Sequence, residues 1–323
     1  MKVAVTGGSG FIGTHVVDHL VAQGHQVIVL DRAAPTHRAD VEFRELDILD
    51  IDGLVAGTRG CDVVFHLAAV SNVNIAFDHP VATIEVNVTG TTNVWEAARR
   101  NEVGRAVLAS TVWVYAAAAE VPGATDDAVD ETASISLADA GHLYTASKIA
   151  AELVVHSYWE LYAQPFTILR YGIPFGPRMR EELVIPRFVR HAFAGEPITI
   201  NGDGSFFRSY VYVGDLARAH VLALDEAAEN EVLNLEGAEP VSIRRVAETV
   251  RDLVNDAVEI RYLPARAGDY AGRVVSGEKA ARLLGWRPEV PFEEGMRRYV
   301  EWYREAADVP PSSVSDETAR ENS

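Results

Sequence analysis

The sequence predicts an α/β fold: a doubly wound parallel sheet followed by a smaller C-terminal α/β domain. Three observations carry this. Short β-branched runs, apolar almost throughout, recur along the first half of the chain, and amphipathic segments of helical length separate most of them. A glycine-rich turn comes directly after the first run. Strands that are apolar on both sides need cover on both faces, and helical crossovers between parallel strands supply it.

Lys2–Thr6 is the first predicted strand, and its β-branched pattern suits a pleated, buried position. Gly7, Gly10 and Gly13 then turn the chain into a helical pattern over Phe11–Val21. Further strands are read at Gln26–Leu30, Glu42–Leu46, Asp62–Leu67, Arg105–Ser110 and Phe166–Arg170, with a helix from about His142 through Tyr158 before the last. After Tyr171 the rhythm breaks at Gly172, Pro174, Gly176 and Pro177, and shorter mixed elements come next. The expected organisation is a first domain over 1–172 and a second over 173–307, some segments of which return to the first. The residues 308–323, DVPPSSVSDETARENS, lack apolar periodicity and are expected to be a disordered tail.

The chain has 323 residues, which at roughly 150 per domain suits that division. Subtracting 47 acidic from 29 basic residues gives a net charge of −18. No Lys/Arg cluster offsets it, so nucleic acid is not an expected partner, and any phosphate site must be built locally from Arg and backbone N–H groups. Cys61 is the only cysteine, which excludes an internal disulfide and any CxxC metal or redox site. The opening MKVAVTGGSGFIG has glycines where a signal peptide needs an apolar stretch, and nowhere do roughly 20 apolar residues run together. A cytoplasmic protein with no membrane partner is the expectation.

The glycine turn is where an acidic protein can hold phosphate. Strand before and helix after allow close backbone approach to a pyrophosphate, at a helix N-terminus with unpaired N–H groups. Asp31 ends the second strand 18 residues beyond Gly13. A carboxylate there accepts from ribose hydroxyls and repels a 2′-phosphate, favouring NAD over NADP, although Arg32 beside it is a residue type that can cradle that phosphate. Tyr144 and Lys148 stand at i and i+4 in a helical pattern, so phenol and ammonium share one face. A phenol of pKa roughly 10 needs such a neighbour, and an oxidised nicotinamide, to act as a base near neutral pH.

With these motifs in order, the chain resembles an extended short-chain dehydrogenase/reductase of the NAD-dependent epimerase/dehydratase family, from Met1 to about Trp302. The resemblance implies a Rossmann domain with NAD as cofactor and a substrate-binding C-terminal domain. It implies cofactor contacts at Gly7, Gly10, Phe11, Ile12, Gly13, Asp31, Arg32, Asp47, Ile48, Leu67, Ala68, Ala69, Asn87, Ser110, Tyr144, Lys148, Tyr171 and Ile173. It also implies a catalytic set of Thr111, Tyr144 and Lys148, with Ser110 as the alternative hydroxyl. The family's dehydratases place an Asp-Glu pair, and its decarboxylases a Glu, just after that hydroxyl, where this chain has Val112 and Trp113. Neither can move a proton, so the implied reaction is 4-epimerisation of a nucleotide sugar through transient oxidation at C4.

For the substrate the resemblance implies Ser71, Thr111, Tyr144, Arg180, Arg208, Arg266 and Asp269, with arginines clamping the diphosphate. Ile173 and Leu183 replace asparagines common in the family, and Ser276 replaces a common Asp, so UDP-glucose and UDP-glucuronate both stand as substrates. A net oxidoreductase on another alcohol and a non-catalytic NAD-binding sensor are the rival readings. The family's habit of pairing through helices implies a homodimer, with Tyr158, Trp159, Tyr162 and Trp95 either near its interface or in the core. His15 and His19 have metal-like spacing but no third ligand, so no metal is expected and helix-surface histidines are the reading.

Overall fold

A computed structural model describes residues 1–117, 128–135, 140–264 and 274–307. The first half runs β1 (Lys2–Thr6), α1 (Phe11–Ala22), β2 (Gln26–Asp31), β3 (Glu42–Glu45), α2 (Ile51–Gly57), β4 (Val63–His66), α3 (Val73–Asp78) and α4 (Pro80–Ile84). A π-helical turn at Glu85–Thr89 leads into α5 (Gly90–Arg100), then β5 (Arg105–Thr111) and a 3₁₀ turn at Val112–Ala117. The remainder is α6 (Leu143–Tyr162), β6 (Phe166–Tyr171), β7 (Ile173–Phe175), α7 (Val184–Phe193), β8 (Ile198–Asn201), β9 (Phe207–Tyr212), α8 (Val213–Leu222), β10 (Glu231–Leu235), β11 (Pro240–Ser242), α9 (Ile243–Val254), β12 (Ile260–Leu263), α10 (Glu278–Leu284) and α11 (Phe292–Ala307).

Among the described residues, one sheet has seven strands in the order β10-β6-β5-β4-β1-β2-β3, every pair parallel. It is the doubly wound α/β sheet that the apolar runs predict. Val5 and Phe65 face α1 and α8 on one side through Val16, Leu20 and Leu216. Ala4, Val64 and Ile168 face α2, α5 and α6 on the other through Leu54, Trp95 and Val155. All of these side chains are fully buried, which is why the strands read as continuous apolar runs. β10 and α8 arise late in the chain yet belong to this unit.

A third cluster holds α7, α9 and α11 against β8 and β9, through Phe188, Val250, Met296, Ile200 and Tyr210. Here β7, β9 and β11 form a three-stranded sheet and β8 and β12 a two-stranded one. No helix among the described residues is long and apolar enough to cross a membrane. The expectation for 308–323 lies outside the described residues. One sequence expectation changes. His15 is buried, not on the helix surface, with its Nε2 2.9 Å from the Pro177 carbonyl and Arg178 on its other nitrogen, and burial lowers its pKa to about 4. Trp95 is wholly enclosed in the core, while Tyr162 is 52% exposed.

Candidate active site

The strand order reverses between β1 and β4, and in an open parallel sheet the crevice beyond the C-terminal strand ends at such a point is where ligands bind. The glycine turn sits there. Gly7 has a φ of +72°, and a Cβ on it would lie 2.6 Å from the Ala68 nitrogen. One on Gly13 would lie 2.0 Å from the Gly7 oxygen, so α1 can approach the turn this closely only without a side chain. Glycine at these positions therefore lets the turn pack tightly against the end of β4 and the start of α1, as a dinucleotide-binding turn requires. Asp31 accepts from the backbone N–H of Ser9 at 3.0 Å and of Arg32 at 2.7 Å. A carboxylate keeps further lone pairs for ribose hydroxyls. Phe11 and Ile12 open α1 above this turn, and Leu67, Ala68 and Ala69 leave β4 opposite it, the Leu67 N–H donating to Thr6 at 3.0 Å. Asp47 is exposed, Ile48 buried beneath Gly90, and the Ile48 carbonyl accepts from Asn93 at 3.0 Å.

Asn87 sits on the π-helical turn, a geometry frequent at functional positions. Its oxygen accepts from Val70 at 2.7 Å, and its amide donates to the Val70 carbonyl and the Ser147 hydroxyl, both at 2.9 Å. Ser147 donates in turn to the Tyr144 carbonyl at 2.7 Å. Asn87 thus ties the loop after β4 to the helix that carries Tyr144.

Thr111 ends β5, and Tyr144 and Lys148 project from the first turns of α6, whose N-cap is His142 accepting from the Thr145 N–H at 3.3 Å. The Thr111 hydroxyl hydrogen-bonds the Tyr144 phenol. Burial pushes that phenol up to about 12, while the Thr111 hydrogen bond and the Arg180 charge pull it down. Lys148 is 4% exposed, and burial lowers it to about 8 against the opposing charge of Glu152. Thr111 and Tyr144 are therefore in contact, and Lys148 stands one helical turn further along α6.

Ser110 has a different neighbour. Its hydroxyl donates to Glu152 at 2.5 Å, and Glu152 also accepts from Arg170 at 2.6 and 3.1 Å. Arg170 continues to the Tyr115 phenol at 2.7 Å, and Tyr115 donates to Asn234 at 2.9 Å. The Tyr171 phenol donates to His220 at 2.6 Å, on the α8 side of the sheet. Glu152 was legible in principle, since it lies one further helical turn along the face of Tyr144 and Lys148. Arg170 was legible as the one charge in the run FTILRY.

On the substrate side a cavity of about 350 Å³ is lined by Ile173, Leu183, Arg187, Asn201, Arg208 and Tyr210, among others. Arg208 lies over the Trp113 ring at 5.9 Å, and the rings of Trp113, His142 and Tyr144 succeed one another at 5.1 and 6.1 Å. An aromatic wall therefore links the cavity to the phenol. His142 was missed in the sequence, where a histidine two positions before a tyrosine carries no recognisable signal. Arg180 pairs with Glu182 at 3.3 Å while its charge reaches Tyr144. Ser71 is exposed after β4, and Arg266 and Asp269 lie outside the described residues. No cluster of His, Cys, Asp or Glu among the described residues could hold a metal ion.

A family model described as the NAD dependent epimerase/dehydratase family matches residues 3–235. The chain belongs to that family. This epimerase/dehydratase chain is 30% identical to a probable UDP-glucuronate 4-epimerase of Rhizobium meliloti, over 94% of its own length and 97% of the relative's. It superposes on the UDP-glucose 4-epimerase of Thermotoga maritima, solved with UDP-glucose, with a TM-score of 0.86 at 29% identity, covering 95% of this chain and 100% of that one. It also superposes on the dTDP-glucose 4,6-dehydratase DesIV of Streptomyces venezuelae, solved with NAD, at 0.85 and 29%, covering 95% and 98%. As a member of this family the chain is an NAD-dependent enzyme. Likeness of fold extends equally to epimerase and dehydratase, so the reaction has to be argued from the site.

Proposed function

We propose that the chain is a nucleotide-sugar 4-epimerase acting on a UDP-hexose or UDP-hexuronate. The observation that carries this is the pair of residues immediately after Thr111. They are Val112 and Trp113, with the Trp113 ring in the aromatic wall and neither residue able to carry a proton. Expelling water from the sugar needs a further acid or base at the reacting carbons. The Thr111–Tyr144–Lys148 group supplies one proton-handling hydroxyl system, which is enough for removal and return of hydrogen at one carbon.

Bound NAD supplies a reversible acceptor for that hydrogen. The turn from Gly7 to Gly13 and Asp31 are the residues that would hold its pyrophosphate and ribose: the turn is tight enough to put the N-terminus of α1 at the end of β1, and the Asp31 carboxylate stands beside it on the Ser9 N–H. Tyr144 takes the proton of the sugar hydroxyl on its phenolic oxygen, and Thr111, hydrogen-bonded to that phenol, orients it. The ammonium of Lys148, one helical turn away, favours the phenolate electrostatically. Arg208 at the cavity edge provides the bidentate cation that a diphosphate calls for in a protein of charge −18.

The test is incubation of the purified protein with UDP-glucose and, separately, UDP-glucuronate, resolving C4 epimers by chromatography. The expected result is the C4 epimer of at least one of them. Loss of water or carbon dioxide from either sugar, or no conversion of any UDP-hexose or UDP-hexuronate, would overturn the proposal.

A further inference from the structure

His66 is a buried titratable side chain that the reaction above does not use. It ends β4, and its ring lies between two threonine hydroxyls: Nδ1 is 2.8 Å from that of Thr6 and Nε2 is 3.0 Å from that of Thr91. The Thr91 hydroxyl has one proton and donates it to the Asn87 carbonyl at 2.6 Å, so toward His66 it can only accept. Nε2 therefore carries the ring proton. Burial, and then the Lys148 charge, lower the His66 pKa to about 3, so the ring is neutral and its Nδ1 accepts from the Thr6 hydroxyl.

These bonds belong to a longer chain whose ends are the two halves of the site. Thr6 is the last residue of β1, in register with His66 at the point where the strand order reverses, and the glycine turn follows it directly. From His66 the bonds pass through Thr91 to Asn87, whose amide donates to Ser147, and Ser147 donates to the Tyr144 carbonyl. Thr6, His66, Thr91, Asn87 and Ser147 are each at most 2% exposed, so bulk solvent does not make good a lost link. Val63, Val64 and Phe65, which precede His66, show what β4 uses where packing alone is required.

We infer that His66 is a positioning residue that, through Thr91, Asn87 and Ser147, ties the helix carrying Tyr144 to the strand carrying the glycine turn, and so sets the phenol against the bound cofactor. The choice of substrate for its test rests on the nucleotide-sugar reading. Hydride transfer needs the sugar carbon, held at Tyr144, and the nicotinamide, held from the turn, in near contact, and a misplacement of about 1 Å costs about 10²-fold in rate. His66 acts on that alignment without having to touch either ligand.

The test compares NAD-loaded wild type, His66→Leu, Thr91→Val, Thr91→Ser and the His66→Leu/Thr91→Val double variant in steady-state turnover of UDP-glucose and UDP-glucuronate, with Tm measured for each. Thr91→Val keeps the shape and removes the hydroxyl, whereas Thr91→Ser keeps the hydroxyl. His66→Leu and Thr91→Val should each lose about 10- to 100-fold in kcat with KM within about threefold of wild type, and Thr91→Ser should stay near the wild-type kcat. The double variant should be no slower than the slower single one, since both break one chain. In nitrogen-15 spectra the His66 ring, assigned by its loss in His66→Leu, should be in the Nε2–H form and should not titrate between about pH 5 and 8. A Thr91→Val protein with wild-type kcat, a fall in Tm with kcat unchanged, or an Nδ1–H ring at His66 would overturn the inference and leave the functional reading standing. A wild type inactive on every UDP-sugar would overturn that reading, and the ring tautomer would still decide on His66.

Discussion

Tyr144→Phe is expected to lower kcat by about 10² to 10⁴, the range that a positioned proton-transfer group contributes, while UDP-glucose still binds within a few-fold of wild type. The phenol is hydrogen-bonded to Thr111 and reached by the charge of Arg180. Burial pushes this phenol up to about 12, so without further positive charge it is protonated near neutral pH. Activity near neutral pH therefore depends on positive charge arriving beside it with the oxidised cofactor. Positive charge lowers a phenol's pKa, so the acid limb of the pH–rate profile should lie well below 12 and move upward when that charge is removed. Steady-state kinetics with calorimetric binding checks the prediction, and a Phe variant with wild-type kcat would contradict the role of Tyr144.

Glu152→Ala should be the most destabilising single change near the site. It leaves the Arg170 guanidinium buried with its main partner gone, a situation that costs about 3–5 kcal/mol. For a chain of 323 residues that is a fall in Tm of about 4–7 °C. It also removes the acceptor of Ser110 and the charge that holds up the pKa of Lys148. Thermal unfolding followed by circular dichroism measures the effect, and a shift below about 2–3 °C would show that Tyr115 and water satisfy Arg170 alone.

The sheet was legible because its strands are buried on both faces, so each β-branched run stands out from the amphipathic helix beside it. Lys2–Thr6 is bounded identically in sequence and structure, and the others differ by one or two residues at their ends, where pairing decides the boundary. The glycine turn was legible because close approach admits only glycine at positions 7 and 13. The late strand β10 and the pairing of β7 with β9 were not, since they depend on contacts between segments far apart in the chain. The same holds for the site. Tyr144 and Lys148 are close in sequence and on one helix face, whereas the Ser110–Glu152–Arg170 link and the Thr6–His66–Thr91 link join separate strands and helices that only the fold brings together.

The most direct test of the central claim uses UDP-hexose deuterated at C4. Transient oxidation and return at one carbon predicts that the C4 epimer retains its deuterium at C4 and that no NADH accumulates in proportion to product. Solvent hydrogen at C4, or one NADH for each sugar consumed, would contradict it.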